Sequence, residues 1–477
     1  MFRTSLSILA AGANRRGRRK TIGPQVSARV GVAIALILMG LIGLAAGGCS
    51  TEPAGSQLFD DSTVHDISVS FVVEDYEEMI ETFKTKGQKD WIEATVTIDG
   101  ETYDRVGMRL KGNSSIQGLR GGFREAGPGA EVTSDAPQDL PWLIRLDKFV
   151  EGQAHDGIVD LVVRSNVSDT SLNEAVALEL LDRAGLASQD SIATRFTVND
   201  SQPALRLVTE LPDDVWMQQN LSADGALYKA ESGGDYSYRG TDPDAYEEIF
   251  DQEAGKDNAD LQPLMDFLDF INNADDATFN TELIKRIDVD SFATYLAMEE
   301  LLDNFDDING PGNNSYLFYD TTAHMFTVVP WDHNLAFGLL GEGAGEGPPG
   351  GAPGTVEPRP GTVEPLPGAG GAQRGEAARP GVAQPGAPGQ APGADGQAER
   401  GPGRQQDNVL VDRFLANDEW NELYESRLTE LRQTLYESGV AQEILDGWVD
   451  LLETQASDLV SAQTVRAEAD FIASHWE

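Results

Sequence analysis

Residues 94–100 read ATVTIDG, in which Ala94, Val96 and Ile98 alternate with Thr95, Thr97 and Asp99. A period of two predicts a strand with one buried face. Asp99 and Gly100 form a hairpin-turn dipeptide, and beyond them Val106, Met108 and Leu110 alternate with Arg105, Gly107 and Arg109 on the returning strand. WLIRLDKF (142–149) predicts a further strand, and RFTVND with ALRLVTEL predicts a second hairpin around Asn199 and Asp200. The period then lengthens. SLNEAVALELLDRAGL (171–186) predicts an amphipathic helix with Leu172, Val176 and Leu180 on one face, Ser171 as its cap and Gly185 as its stop. VDSFATYLAMEELLDNF (289–305) predicts another, with Phe292, Tyr295, Leu296, Glu299 and Leu302 on one side. SYLFYD (315–320) and FTVVPW (326–331), joined by TTAHM, predict a third hairpin. From Val409 onward the pattern is helical again, most clearly in VDRFLANDEWNELYESRLTELRQTLYES. The class is α+β, with hairpins early and helices in the middle and at the end.

Two segments fall outside this patterning. Residues 1–48 contain no acids, carry Arg15, Arg16, Arg18, Arg19 and Lys20, and include an unbroken apolar run at 30–46. A basic region, an apolar region and small residues predict a secretory signal. The run ends in LAAGGCS, and Cys49 is the only cysteine of the 477 residues. Its position predicts the lipidated first residue of an exported lipoprotein held at the outer face of a bacterial cell membrane, with 49–63 as a tether. No disulfide framework is possible. Residues 341–407 are dominated by Gly, Pro and Ala, hold about half of the 23 prolines, and repeat PGTVEP at 353–358 and 360–365. That composition predicts a disordered linker. It divides a folded unit into 64–340 and a helical part at 408–477, because so short and acidic a tail makes a poor core alone.

The chain carries 79 acids against 35 bases, a formal charge of −44. That excess argues against nucleic acid as a partner, since phosphate backbones need a positive surface. It suits divalent cations, basic substrates or a well-solvated surface.

Residues 304–338, NFDDINGPGNNSYLFYDTTAHMFTVVPWDHNLAFG, concentrate the chemistry. Asp306, Asp307, Asn309, Asn313 and Asn314 crowd one loop, a strand hairpin follows, and Asp332 stands in an apolar frame. Such a loop suits a plain turn, a calcium site built from oxygen ligands, or a magnesium site for phosphoryl transfer. The last needs an aspartate to orient a hydroxyl and an asparagine and second aspartate to hold metal on the phosphates. Asp332 favours the metal options, because a framed carboxylate is costly unless paired or ligating.

VVPWDHNLAFG (328–338) resembles the PWDxDxxFG motif of the CotH kinase family, named for spore-coat protein H. GMRLKGNSS (107–115), LVVRSNVSDTSLNEAVALELLDRAG (161–185), LVTEL (207–211), ALYKA (226–230) and NFDDINGPGNNSYLFYD resemble further motifs of that family, in order. The resemblance implies an atypical, secreted-type protein-kinase-like fold. It also implies ATP with Mg2+ or Mn2+, Ca2+ being an alternative ion, and a protein substrate phosphorylated on Ser or Thr. It assigns Asp306 as the catalytic aspartate with Asp307 as competitor, and Asn314 and Asp332 as metal ligands with Asn313 close by. Arg109, Lys111 and Lys229 fall to the phosphates, Asn113, Ser114 and Ser115 to a small-residue loop over the nucleotide, and Glu210 to orienting a lysine or holding a second metal. Arg109 and Lys111 are two apart and share a face.

One position departs from the motif. Asn334 stands where PWDxD has its second aspartate, which keeps an oxygen but drops a charge. A second class of function is therefore a cell-surface binding or structural lipoprotein that uses the acidic site for calcium or envelope components. The chain has no HExxH, GxSxG or GxxxxGK[ST]. Histidines 65, 155, 324, 333 and 475 lack zinc spacing. Asp288 and Asp290 stand at a helix start, where acids suit the dipole.

Overall fold

The computed structural model describes residues 58–112, 114–120, 133–221, 224–231, 235–247, 249–256, 260–310, 313–339 and 408–476. Cys49, Asn113, the apolar run at 30–46 and the segment 341–407 lie outside the described residues.

Period-two alternation builds the N-terminal half. β1 (His65–Phe71), β2 (Ile92–Ile98), β3 (Glu101–Leu110), β4 (Trp142–Arg145), β5 (Asp160–Val163), β6 (Ser191–Val198) and β7 (Ala204–Glu210) form a closed barrel in the order β1-β2-β3-β4-β5-β7-β6. Its neighbours pair antiparallel, except that β1 closes the barrel by running parallel to β6. Asp99 and Gly100 take φ of 48° and 89°, the left-handed pair that a two-residue hairpin turn requires. Inward residues such as Val96, Met108, Leu110, Trp142 and Phe196 fill the barrel, and α1 (Val73–Lys86) adds Met79, Ile80 and Phe83 to that core. Every pairing row keeps its face. Leu110, Trp142 and Val163 line the inside, whereas Leu143 and Val162 look outward.

The outward face meets a second sheet. β8 (Gly225–Ala230), β9 (Phe250–Ala254), β10 (Ser315–Asp320) and β11 (Met325–Pro330) lie in the order β11-β10-β8-β9. Alternation splits this sheet cleanly. Leu227, Tyr316, Phe318 and Val329 pack with Leu143, Val162 and Trp331, forming a seam between barrel and sheet. Tyr228, Leu317 and Val328 face the other way, into the largest core.

That core is helical. α2 (Leu172–Arg183), α4 (Gln262–Asn273), α5 (Asp276–Glu282) and α6 (Val289–Leu301) share it with α7 (Val409–Leu415), α8 (Asp418–Leu431), α9 (Val440–Gln455) and α10 (Ala462–Ala473). The short α3 (Asp214–Asn220) packs at the seam instead, through Trp216 and Met217. Phe292 of α6 meets Phe414 of α7 edge-on at 4.9 Å, so residues on both sides of the Gly/Pro-rich segment build one core. The chain is thus a mixed α/β protein, β-rich first and helical last. No helix among the described residues is long and apolar enough to cross a membrane.

Three details differ from the sequence patterning. β4 stops at Arg145, not at 149, because its guanidinium turns to both oxygens of Asp160 at 2.7 and 2.6 Å and the chain bends beyond it. Ser171 does not cap α2 with its side chain; it lies in the left-handed region at φ 56°, and Thr170 Oγ1 accepts from the Leu172 N–H at 3.1 Å instead. The long C-terminal helical pattern breaks at Asn417, whose side chain caps α8, and a π-helical turn spans Arg432–Glu437. α2 is also buried nearly all round, including Asn173 and Glu174, because α9 and α10 cover the face that a surface helix would leave wet.

Glu468 of α10 ties the two halves of the chain together. It is only 4 % exposed and accepts from the N–H groups of Asp169 and Thr170, at 2.9 and 3.2 Å, and from the Thr170 hydroxyl. Glu468→Ala strands those donors at the start of α2. It should cost about 3 kcal/mol of unfolding free energy, measured by urea denaturation; a loss under about 1 kcal/mol would show that water replaces the carboxylate.

Candidate functional site

The seam gathers charged groups that a period-two pattern sends to its edge. On β3, Met108 and Leu110 point inward, so Arg109 points out, and Lys111 follows on the same side. On β8, Lys229 shares the face of Leu227, toward the barrel. Trp331 caps the seam, with Lys111 Nζ 5.7 Å and Arg164 Cζ 5.9 Å from its ring centre.

The β10–β11 hairpin sets the acidic loop and Asp332 at the same end. Ser315 pairs with Pro330 at its open end. Past that pair both strands end, at Ser315 and at Pro330, and the chain leaves the extended conformation on both sides. Asp332 (φ 66°) and Asn313 (φ 50°) both sit in the left-handed region, which Asp and Asn tolerate better than most residues.

Arg164, just past β5, bridges two carboxylates. Its Nε donates to Glu174 of α2 at 3.0 Å, and its terminal nitrogen reaches both Glu174, at 2.8 Å, and Asp332. Burial alone would raise the Asp332 carboxyl; Arg164 outweighs it and holds Asp332 below the usual range. Glu174 goes the other way, raised by its deeper burial and by Asp332. Behind Asp332, the buried His333 Nε2 meets Glu299 of α6 at 3.0 Å, and Glu299 also accepts from Asn304 at 2.8 Å. The end of α6, the acidic loop and the Asp332 turn are thereby fastened to one another.

The loop itself separates its two aspartates. Asp307 is 2 % exposed and accepts from the Asn309 N–H at 2.8 Å, a turn-forming role. Asp306 is half-buried. A Cβ on Gly310 would fall 2.5 Å from the Asp306 Cα, so the loop closes behind Asp306 only with glycine there. Asn408, from beyond the Gly/Pro-rich segment, donates to the Ile308 carbonyl at 3.2 Å and to Asn309 Oδ1 at 3.3 Å.

The cations are unusually concentrated for so acidic a chain. Burial, then the neighbouring Lys229, pushes Lys111 down to about 8, with Arg109 and Lys89 adding to the effect and Glu253 opposing it. Burial also lowers Arg109. Lys229 is pinned by Glu231 at 3.0 Å, and the Glu231 carbonyl accepts from Asn313 at 3.4 Å. Arg109 and Lys111 make no ion pair at contact distance among the described residues. Arg109 Nε and the Tyr316 hydroxyl are buried there without a hydrogen-bond partner. Buried polar atoms are normally satisfied, so these suit an anionic ligand in the seam.

The structure therefore brings Lys111 within electrostatic reach of Arg109 and Lys229, Lys229 within reach of Asp332, and Asn313 against the Glu231 carbonyl, while Asn314 makes no contact among the described residues that joins it to them. Ser114 opens a short 3-10 stretch, Ser114–Arg120, beside them. Gly112 there has φ 85°, and a Cβ on it would lie 2.3 Å from Ser115 Oγ. Glu210 does not join the group. Its cross-strand row is Leu161, Ile144 and Met108, the inner row of the barrel, opposite to the face of Arg109. It accepts from the Asp190 N–H at 2.9 Å, and burial with Asp190 pushes it up to about 8. No lysine among the described residues is paired with Glu210, whose further neighbours are Asp213 and Trp216. Lys89, Arg164, Glu174, Glu231, Glu253 and Glu299 were not singled out from sequence. A glutamate amid the apolar positions of LNEAVALELL was the available signal, since a carboxylate there needs a buried cation.

No group of three or more His, Cys, Asp or Glu is placed to hold a metal among the described residues. Asp332 suits Mg2+, which takes one or two carboxylates and completes its shell with phosphate oxygens and water.

Comparison with known proteins points the same way. The family model described as CotH kinase protein matches residues 109–474. The inner spore coat protein H of Bacillus subtilis (strain 168) is 23 % identical over 196 residues, 40 % of this chain and 53 % of that protein. The chain thus spans about half the length of that curated relative.

The depressed Lys111 carries a pH signature. The folded protein releases its proton near 8, whereas the unfolded chain keeps it to about 10.4. Its contribution to stability therefore rises with pH across that window, and its positive charge fades above about 8. Acetylation at pH 8 followed by peptide mass spectrometry should modify Lys111 ahead of the exposed Lys86; equal or slower modification would contradict a depressed lysine.

Proposed function

Because the chain belongs to the CotH kinase family, we propose that it transfers the γ-phosphate of ATP to Ser or Thr of a protein substrate. The supporting observation is the pair of cations, Arg109 and Lys111, that share one outer face at the end of β3 and make no contact-distance ion pair among the described residues, with Lys111 over the ring of Trp331, the residue before Asp332. A site serving calcium alone has no use for two such cations, whereas a triphosphate requires them.

In this reading Arg109, Lys111 and Lys229 hold the phosphates. Asp332, with Asn314 and Asn313, holds the divalent ion, which when bound neutralises charge on the β- and γ-phosphates. Asp306 accepts the proton of the acceptor hydroxyl as its oxygen attacks phosphorus and the bond to the ADP oxygen breaks. Asp307 holds the loop. Arg164 keeps Asp332 ionised and, through Glu174, fixes it to α2. This arrangement has the same logic as the kinase ion pair between a strand cation and a helix glutamate next to a metal-binding aspartate. At the Asn334 departure the backbone carbonyl accepts from Asn173 at 2.7 Å, and the side chain offers a neutral amide oxygen where the motif has a carboxylate.

We place the protein outside the cytoplasm, lipid-anchored through Cys49, from its sequence pattern alone. Cys49→Ser should abolish incorporation of labelled palmitate and shift the protein from the membrane fraction; unchanged labelling would refute the anchor.

Incubation of the protein with γ-labelled ATP, Mg2+ or Mn2+ and a Ser-rich acceptor should transfer label. Asp306→Asn and Asp332→Ala should each lower transfer by about 100-fold or more, with Asp306→Asn sparing ATP affinity. Absence of both transfer and ATP binding in the unaltered protein, with calcium raising its melting temperature, would favour a structural calcium-binding surface protein.

A further inference from the structure

The phosphate cations of the seam rest on a loop that precedes the family-matched stretch. Residues 87–91, GQKDW, join α1 to β2, and the family match begins only at residue 109. Trp91 packs half-buried against the seam. Arg109 Cζ lies 4.9 Å from its ring centre, Lys148 Nζ 4.8 Å and Arg145 Cζ 5.9 Å. The three cations differ in what else holds them. Arg145 is clamped by Asp160 through two hydrogen bonds. Arg109 makes no ion pair at contact distance among the described residues, feeling Glu253 and Asp160 only from further off, and its Nε is buried without a partner. The indole face is thus the contact that orients the guanidinium.

The backbone makes room for this packing. A Cβ on Gly107, the residue two before Arg109 on the same face of β3, would fall 2.9 Å from Trp91 Cε3 and 2.4 Å from Lys148 Cγ. Lys89 lies two residues before Trp91 and within electrostatic reach of Arg109, Lys111, Lys229 and Glu231. Burial and then Arg109 push Lys89 down to about 8, as expected for a cation held beside other cations.

We propose that the 87–91 loop forms part of the polyphosphate site: Trp91 is the positioning residue that holds Arg109 toward the phosphates. The ligand class is a polyphosphate, and the inference rests on the phosphate-binding part of the function proposed above. Cation–π contact suits the task, because it orients a guanidinium without neutralising it as a carboxylate would. The anion then meets a full positive charge.

Calorimetry on the full chain separates the possibilities. The probes are inorganic tripolyphosphate and the Mg2+ complexes of ATP, ADP and AMP. Trp91→Ala should weaken tripolyphosphate and ATP about tenfold, with a loss that shrinks from ATP to AMP. Trp91→Phe should recover most of it, since a phenyl ring keeps the cation–π contact. Trp91 is half-buried, so Trp91→Phe and Trp91→Leu, which keep bulk but differ in the cation–π face, carry the test if Trp91→Ala unfolds. Folded Trp91→Ala or Trp91→Leu protein with unaltered tripolyphosphate affinity would overturn the proposal, as would a loss equal for ATP and AMP. An unaltered protein that binds tripolyphosphate but not ATP would sink the kinase function and leave the loop's role standing. Binding of neither would overturn both.

Discussion

Arg164 has to satisfy two carboxylates at once, and most of the site follows from how it does so. It leaves β5, meets Glu174 on α2 and reaches Asp332 beyond β11. Two neighbouring segments and a third that lies 168 residues beyond Arg164 are thereby set at fixed separation. Removing the guanidinium would leave two acids facing each other with little water, a loss on the order of 3–5 kcal/mol. The desolvation that makes such an arrangement expensive also makes it specific, because Asp332 keeps its charge only in this register. Glu299 repeats the device one layer deeper, between His333 and Asn304, and locks the end of α6 to the turn that carries Asp332.

Strand parity then distributes the remaining charge. The same alternation fills the barrel with Met108 and Leu110 and sends Arg109 and Lys111 to its outer face. On the second sheet it buries Tyr228 in the helical core and turns Lys229 to the seam. The cations meet there because two sheets present their outward rows to one another, and Trp91 and Trp331 supply faces on which those cations lie. In a chain of charge −44, cations gathered at the seam reverse the sign of the charge locally.

Much of this was legible in the chain itself, and the limits have physical causes. Local periods located the strands of both barrel hairpins, the β10–β11 hairpin, α2 and α6, since each signal is contained within a few residues. The loop with Asp306 and the framed Asp332 stood out because polar residues in apolar company are costly. A motif names Glu210 without naming its face, and the register along β7, which sets it opposite Leu161, is nothing that the motif itself could specify. Closure of the barrel by β1 on β6, the partnership of Arg164 with Asp332 and the role of Trp91 depend on contacts between distant residues. No local period encodes them. The cap of α2 was misread for a smaller reason: Ser171 and Thr170 are equivalent as letters, and only the left-handed backbone at Ser171 decides between them.

The anchoring of Asn408 on Ile308 and Asn309 sets an order of events in time. The acidic loop is complete only when a residue from beyond the long Gly/Pro-rich segment has arrived, and the start of α2 is satisfied only when Glu468 has done so. A chain made or threaded across a membrane from its N-terminus can close its barrel early, because those strands are already in hand. The loop that carries Asp306 and the entry to α2 must wait for the helices that follow residue 408.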